Sequence, residues 1–242
     1  MAEARLQTLI RLIYPPRCLL CGGLVDSDFG LCGSCWRDTP FIMGLACDLC
    51  GAPLPGQSDR AEHCDDCLAT PRPWTQGRAA LLYRDNGRKL VLMLKHGDRH
   101  DIARPAALWL AQKLRPLCRA DAVVVPIPLH LRRHLKRRYN QSALLADGLA
   151  RALRLSHLPD ALIRPRATPS LEGKSREERF TTLDAALTLR PARAAALAGR
   201  QVVLVDDVMT SGATLAAATA ALTKAGVAEV CVAILARVAK EA

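Results

Sequence analysis

The stretch Val202-Val203-Leu204-Val205-Asp206-Asp207-Val208-Met209-Thr210-Ser211-Gly212-Ala213-Thr214 decides how this chain folds. Its four opening apolar residues, mostly β-branched, predict a buried strand. Two acids, then Thr, Ser, Gly and Thr, turn that strand into a helix. Adjacent carboxylates at the end of a buried strand are costly unless they meet water, a cation or hydroxyl donors. The turn behind them supplies hydroxyls and backbone N–H groups at a helix N-terminus, where an anion is stabilised. Gly212 lets the backbone come close to such an anion. Carboxylates for sugar hydroxyls beside a nest for one phosphate describe a receptor for a phosphorylated ribose. An ordinary capped helix start would not need Asp206-Asp207.

The other end of the chain carries a second pattern. Cys18-x-x-Cys21, Cys32-x-x-Cys35, Cys47-x-x-Cys50 and Cys64-x-x-Cys67 take up eight of the ten cysteines. One CxxC knuckle directs two thiolates at one ion, and two knuckles close a four-thiolate site. The block reads as an internal repeat, with Cys21-Gly22-Gly23-Leu24 echoed by Cys50-Gly51-Ala52-Pro53-Leu54. Gly22 and Gly51 suit a backbone that turns with positive φ after the second ligand. Two structural zinc ions follow: one on Cys18, Cys21, Cys32 and Cys35, the other on Cys47, Cys50, Cys64 and Cys67. Spacing alone leaves an interleaved pairing open. Disulfides are the competing reading, but residues 1–15 form no secretory signal and redox CxxC motifs usually come singly. His63 stands beside a complete cysteine set and is expected to be a bystander. Cys118 and Cys231 stand alone and are expected to be free thiols.

Composition bounds the rest. A chain of 242 residues, half of them apolar, has room for a small module and one full domain. No stretch approaches the length needed to cross a bilayer. Lys and Arg exceed Asp and Glu by 34 to 23, a net +11 that favours anionic partners without choosing among them. The run Arg132-Arg133-His134-Leu135-Lys136-Arg137-Arg138 concentrates that charge; pyrophosphate recognition, single-stranded DNA contact and a solvated face all fit it.

Along the chain, a zinc block over 14–70, too poor in apolar residues to fold without metal, precedes a larger unit over 71–242. Residues 71–74 read as a linker. Strands are predicted at 78–83, 122–125, 162–163, 202–205 and 230–235. Helices are predicted at 2–13, 86–95, 102–117 with a break near Pro105, 140–153 and 215–224, and a long polar loop at 165–182. Strands alternating with helices predict an α/β fold with a mostly parallel sheet.

The 202–214 stretch resembles the signature of type I phosphoribosyltransferases, which bind phosphoribosyl pyrophosphate (PRPP). The double zinc ribbon, Lys95-His96-Gly97, Val125-Pro126-Ile127-Pro128-Leu129-His130, Arg138-Tyr139-Asn140-Gln141 and then this signature, in that order, resemble the ComF family. That family includes proteins of natural transformation and relatives described in gluconate utilisation. The resemblance implies a type I phosphoribosyltransferase-like fold. Asp206 and Asp207 would be its catalytic carboxylates, taking the ribose hydroxyls directly or through Mg²⁺. Met209, Thr210, Ser211, Gly212, Ala213 and Thr214 would hold the 5′-phosphate. Ile127, Leu129, Arg132 and Arg133 would meet pyrophosphate, and Lys174, Arg176 and Arg179 would ride on a hood loop. The chain departs from the family pattern at Leu171, where Gln is expected, and at Thr182, where Asn is expected, so donor-side residues are kept better than acceptor-side ones. A cytoplasmic PRPP-binding protein serving DNA uptake is implied, with single-stranded DNA or a helicase-like ATPase as partner. A metabolic phosphoribosyltransferase and a zinc-ribbon nucleic-acid adaptor with a vestigial PRPP site are the alternatives.

Overall fold

A computed structural model describes residues 14–129, 139–165, 178 and 186–239. In chain order the elements are α1 (Gly33–Arg37), α2 (Asp65–Ala69), β1 (Gln76–Leu82), α3 (Asp85–His96), α4 (Ala103–Leu114) and β2 (Val123–Pro126). They continue with α5 (Gln141–Leu153), β3 (Ser156–His157), β4 (Leu162–Ile163), β5 (Thr188–Leu189), α6 (Ala194–Leu197), β6 (Gln201–Met209), α7 (Ala213–Thr223) and β7 (Glu229–Arg237). Among the described residues, no helix is long and apolar enough to cross a membrane.

Five strands form one parallel sheet in the order β1-β7-β6-β2-β3. A parallel sheet needs both faces covered, which explains the near-continuous apolar runs of β6 and β7. On one face, Leu90 and Leu94 of α3, Leu110 and Leu114 of α4, and Leu145 and Leu149 of α5 pack on Val203, Val205 and Leu235. On the other, Leu215, Ala218 and Leu222 of α7 pack on Val202, Leu204, Val232 and Ile234. The α/β reading therefore stands.

Three elements differ from the sequence expectation. Strand β6 does not stop at Val205 but runs through the Asp pair to Met209, because β7 pairs beside it as far as Met209↔Arg237. Helix α4 is unbroken: Pro105 falls in its first turn, where the missing N–H has no intrahelical acceptor to lose. Residues 162–163 do form a strand, but it pairs antiparallel with β5 in a separate two-stranded sheet. The predicted helix at 2–13 lies outside the described residues.

The zinc block is built into the sheet edge. Residues between its halves run antiparallel along β1, with Phe41 bridged to Leu81, Ile42 N donating to Ala80 O (2.9 Å) and Leu82 N to Pro40 O (2.9 Å). Leu19, Leu20 and Leu31 of the first half, with Phe41 of the segment between the halves, join the core under α3 and α4. Ile42, Cys47, Cys50 and Cys67 join the core on the opposite face. The block straddles β1 and covers an edge that would otherwise present unpaired backbone.

Candidate functional site

The cysteines gather in series: the sulfurs of Cys18, Cys21, Cys32 and Cys35 lie within 4.8 Å of one another, and so do those of Cys47, Cys50, Cys64 and Cys67. Cys21 Sγ lies 3.7 Å from Cys32 Sγ, and Cys50 Sγ 3.6 Å from Cys64 Sγ. These separations are far too long for disulfides. They match the edge of a tetrahedron with Zn–S bonds of about 2.3 Å, which is about 3.8 Å. The two knuckles are built alike: Gly22 N donates to Cys18 O (3.0 Å) and Gly51 N to Cys47 O (2.8 Å), at φ +74° and +69°. Both quartets therefore fit zinc, and exposed His63 belongs to neither. Cys118 and Cys231 are free, the second fully buried.

At the C-terminal end of β6, Asp206 Oδ1 accepts from Ser142 Oγ (3.0 Å) and from Asp207 N (2.9 Å). Lys95 Nζ lies 3.2 Å from Asp207 Oδ1. Loss of water, then the charge of Asp207, push the Asp206 carboxyl up to about 7, against the opposing pull of Lys95. Lys95 reaches the pair from the last turn of α3, whose end is clamped from α5 and the residues before it. Tyr139 Oη donates to Leu94 O (2.6 Å), and Gln141 Nε2 donates to Lys95 O (3.4 Å). Asn140 caps α5, its Oδ1 accepting from Ser142 N (3.0 Å), while its Nδ2 donates to Ile127 O (2.9 Å). Three motifs far apart in sequence thus become one support around the carboxylates. Sequence reasoning does not find Lys95 or Ser142 as site residues. The signal is the Lys-His-Gly segment itself, which nothing in the sequence ties to the Asp pair.

Beyond the carboxylates, Met209 and Ala213 are buried, Thr210 is exposed, and Ser211 and Thr214 are half-buried. Gly212 takes φ +84° and starts α7, and Ser211 Oγ accepts from Ala213 N (3.4 Å). The first turn of α7 presents its N–H groups here. Two arginines that the sequence does not flag hold the turn from behind. Arg237 donates through Nη1 to Met209 O (3.2 Å), Thr210 O (2.8 Å) and Val238 O. Arg72 donates through Nη1 to Ser211 O (2.6 Å). Residues 71–74 are therefore more than a linker: Trp74 is 3% exposed and packs under this turn.

Ile127 is buried and its N–H donates to Val205 O (2.9 Å), so that donor is spent on the sheet rather than free for pyrophosphate. Leu129 is half-buried at the strand exit. Arg132, Arg133, Leu171, Lys174, Arg176, Arg179 and Thr182 lie outside the described residues.

Comparison with known proteins agrees with this architecture. The double zinc ribbon domain matches residues 9–68, and the phosphoribosyl transferase domain matches residues 140–242. DNA utilization protein YhgH of Escherichia coli (strain K12) is 32% identical over 225 residues, which cover 90% of this chain and 96% of YhgH. Competence protein F of Haemophilus influenzae is 31% identical over 227 residues, 91% of this chain and 96% of that protein. Competence protein ComFC of Bacillus subtilis is 29% identical over 210 residues, 84% and 82% of the two chains. Because the likeness runs through the ribbons and the sheet alike, the chain belongs to the ComF family of double-zinc-ribbon proteins with a phosphoribosyltransferase domain.

Proposed function

We propose that this chain is a PRPP receptor acting in the cytoplasm in support of DNA uptake. The observation that carries the reading is that β6 delivers Asp206-Asp207 and leads at once into a glycine-centred turn at the N-terminus of α7. Carboxylates accept from ribose hydroxyls, and the turn's N–H groups donate to a 5′-phosphate. Lys95 offsets Asp207, so the carboxylates stay close together before any ligand arrives. The oxygens of Asp206 and Asp207 are the hard donors that Mg²⁺ selects, and they would hold it. Bound there, the ion would supply charge neutralisation for pyrophosphate. Leu129, Arg132 and Arg133 are the proposed pyrophosphate contacts, and Lys174, Arg176 and Arg179 the proposed hood. The names of the relatives, DNA utilization and competence proteins, motivate single-stranded DNA and a helicase-like ATPase as partners.

Calorimetric titration of the zinc-loaded chain with PRPP in Mg²⁺ tests the reading. Binding in the micromolar range is expected, weakened at least about tenfold, or about 1.4 kcal/mol, in Asp206→Asn/Asp207→Asn. No heat from folded wild type would refute it. In a transformable host, Asp206→Asn at unchanged protein level is expected to reduce DNA uptake.

A further inference from the structure

Arg72 lies five residues beyond Cys67 and bridges two places that the proposed function keeps apart. Its Nε donates to Cys67 Sγ (3.3 Å), while its Nη1 donates to Ser211 O (2.6 Å). The guanidinium also lies 5.6 Å from the Trp74 ring centroid, and Trp74 is itself pinned by Nε1 donating to Leu49 O (2.6 Å). One rigid planar group therefore touches a ligand of the second zinc site and the backbone of the phosphate turn. The seat is tight enough to dictate sequence. A Cβ at Gly212 would come within 2.7 Å of Met209 Cε, 3.0 Å of Arg72 Nη1 and 3.1 Å of Trp74 Cη2. The remaining nitrogen, Nη2, is buried with no acceptor among the described residues, a cost borne to keep the group in place.

A second strut runs in parallel. Arg237, which braces Met209 and Thr210, places Nη2 3.6 Å from Asp66 Oδ2, and Asp66 sits in α2 between Cys64 and Cys67. The first zinc site has no such route among the described contacts. Its cluster packs through Leu19 and Leu31 toward α3 and α4, and its Cys35 O accepts from Asn86 Nδ2 (3.5 Å).

We propose that Arg72 is a positioning residue through which zinc at Cys47, Cys50, Cys64 and Cys67 and a phosphate on the 210–214 turn bind cooperatively. The proposal rests on the reading of that turn as the seat of a PRPP phosphate. Zinc holds Cys67 in place, and Cys67 orients Arg72 as an outer partner of the metal site. Arg72 then holds the Ser211 carbonyl down, which keeps the following N–H groups turned toward the anion. Linkage makes the effect reciprocal: phosphate that orders the turn must also tighten the binding of the second zinc. Because the brace holds Cys67 in place, the gain is expected in slower release.

The test follows release of both zinc ions from the full chain to a chromogenic chelator, with and without saturating PRPP, beside calorimetry on the same samples. In wild type, PRPP is expected to slow one of the two release phases about tenfold and leave the other unchanged. Arg72→Met is expected to speed that phase, abolish its protection and weaken PRPP about tenfold; Arg72→Lys, unable to span both contacts, falls between. Ser34→Ala, which removes the hydroxyl 3.2 Å from Cys32 Sγ, is expected to speed only the other phase and leave PRPP affinity alone. PRPP binding in wild type with both phases unchanged, or both slowed equally, would overturn the coupling and leave the receptor reading intact. So would Arg72→Met with wild-type affinity and protection. No PRPP binding in wild type would remove both, and the silent calorimetry identifies that case. If Arg72→Met does not fold, the wild-type protection pattern still decides whether zinc and phosphate are coupled, and Arg72→Lys with wild-type protection and affinity would overturn the part given to Arg72.

Discussion

Asp206 titrates near 7 in the folded chain, against 3.8 for a free aspartate. Between those values the folded state keeps a proton that the unfolded state has released. This carboxyl therefore makes the fold less stable as pH rises from about 4, and the cost levels off above about 7. Asp206→Asn preserves shape and the acceptor for Ser142 while removing that cost. It is expected to raise stability at pH 8 by about 1–2 kcal/mol, or roughly 3–6 °C, with a smaller gain at pH 5. Thermal melts at the two pH values check this, and equal gains at both would contradict the assignment. Stability surrendered at a residue pair is what a site shaped for a ligand shows. The pair itself was legible because nothing else explains two acids at the end of an apolar run. Lys95 and Ser142 were not, because a lysine in the last turn of a helix is usual on dipole grounds and carries no mark of its partner.

At the scale of elements, the two cysteine knuckles look interchangeable in sequence and are not in space. Gly22 has positive φ and a Cβ there would meet nothing within 4 Å, whereas a Cβ at Gly51 would lie 2.3 Å from Ala79 N in β1. Gly22→Ala is expected to cost about 1 kcal/mol from the strained backbone alone and to keep both zinc ions. Gly51→Ala is expected to drive the second knuckle off β1 and leave about one zinc per chain, readable by metal analysis. Two zinc ions retained by Gly51→Ala would show that β1 gives way. Strand β6 teaches the same lesson. Its apolar run announced where it begins, but its end at Met209 was set by β7 alongside, since a strand lasts as long as its partner supplies hydrogen bonds.

For the whole molecule, the zinc block serves as the cover of a sheet edge. Removing zinc with a strong chelator is expected to free residues 40–42 from β1, expose that edge and cause aggregation before the α3–α5 core unfolds. Light scattering that rises ahead of the loss of helical circular dichroism would show this order. Local pattern along the chain specified the α/β alternation, the eight thiolates, and a strand at 202–214 that carries two acids into a glycine turn. Those depend on periodicity, ligand spacing and the chemistry of adjacent residues, all local properties. Packing of the whole fold set the run of β6 on to Met209, the meeting of Lys95 with Asp207, and the bridge by which Arg72 joins Cys67 to Ser211, 139 positions after Arg72 itself. Contacts of that kind arise when a parallel sheet sets its strand ends side by side, and no local pattern records which ends will meet.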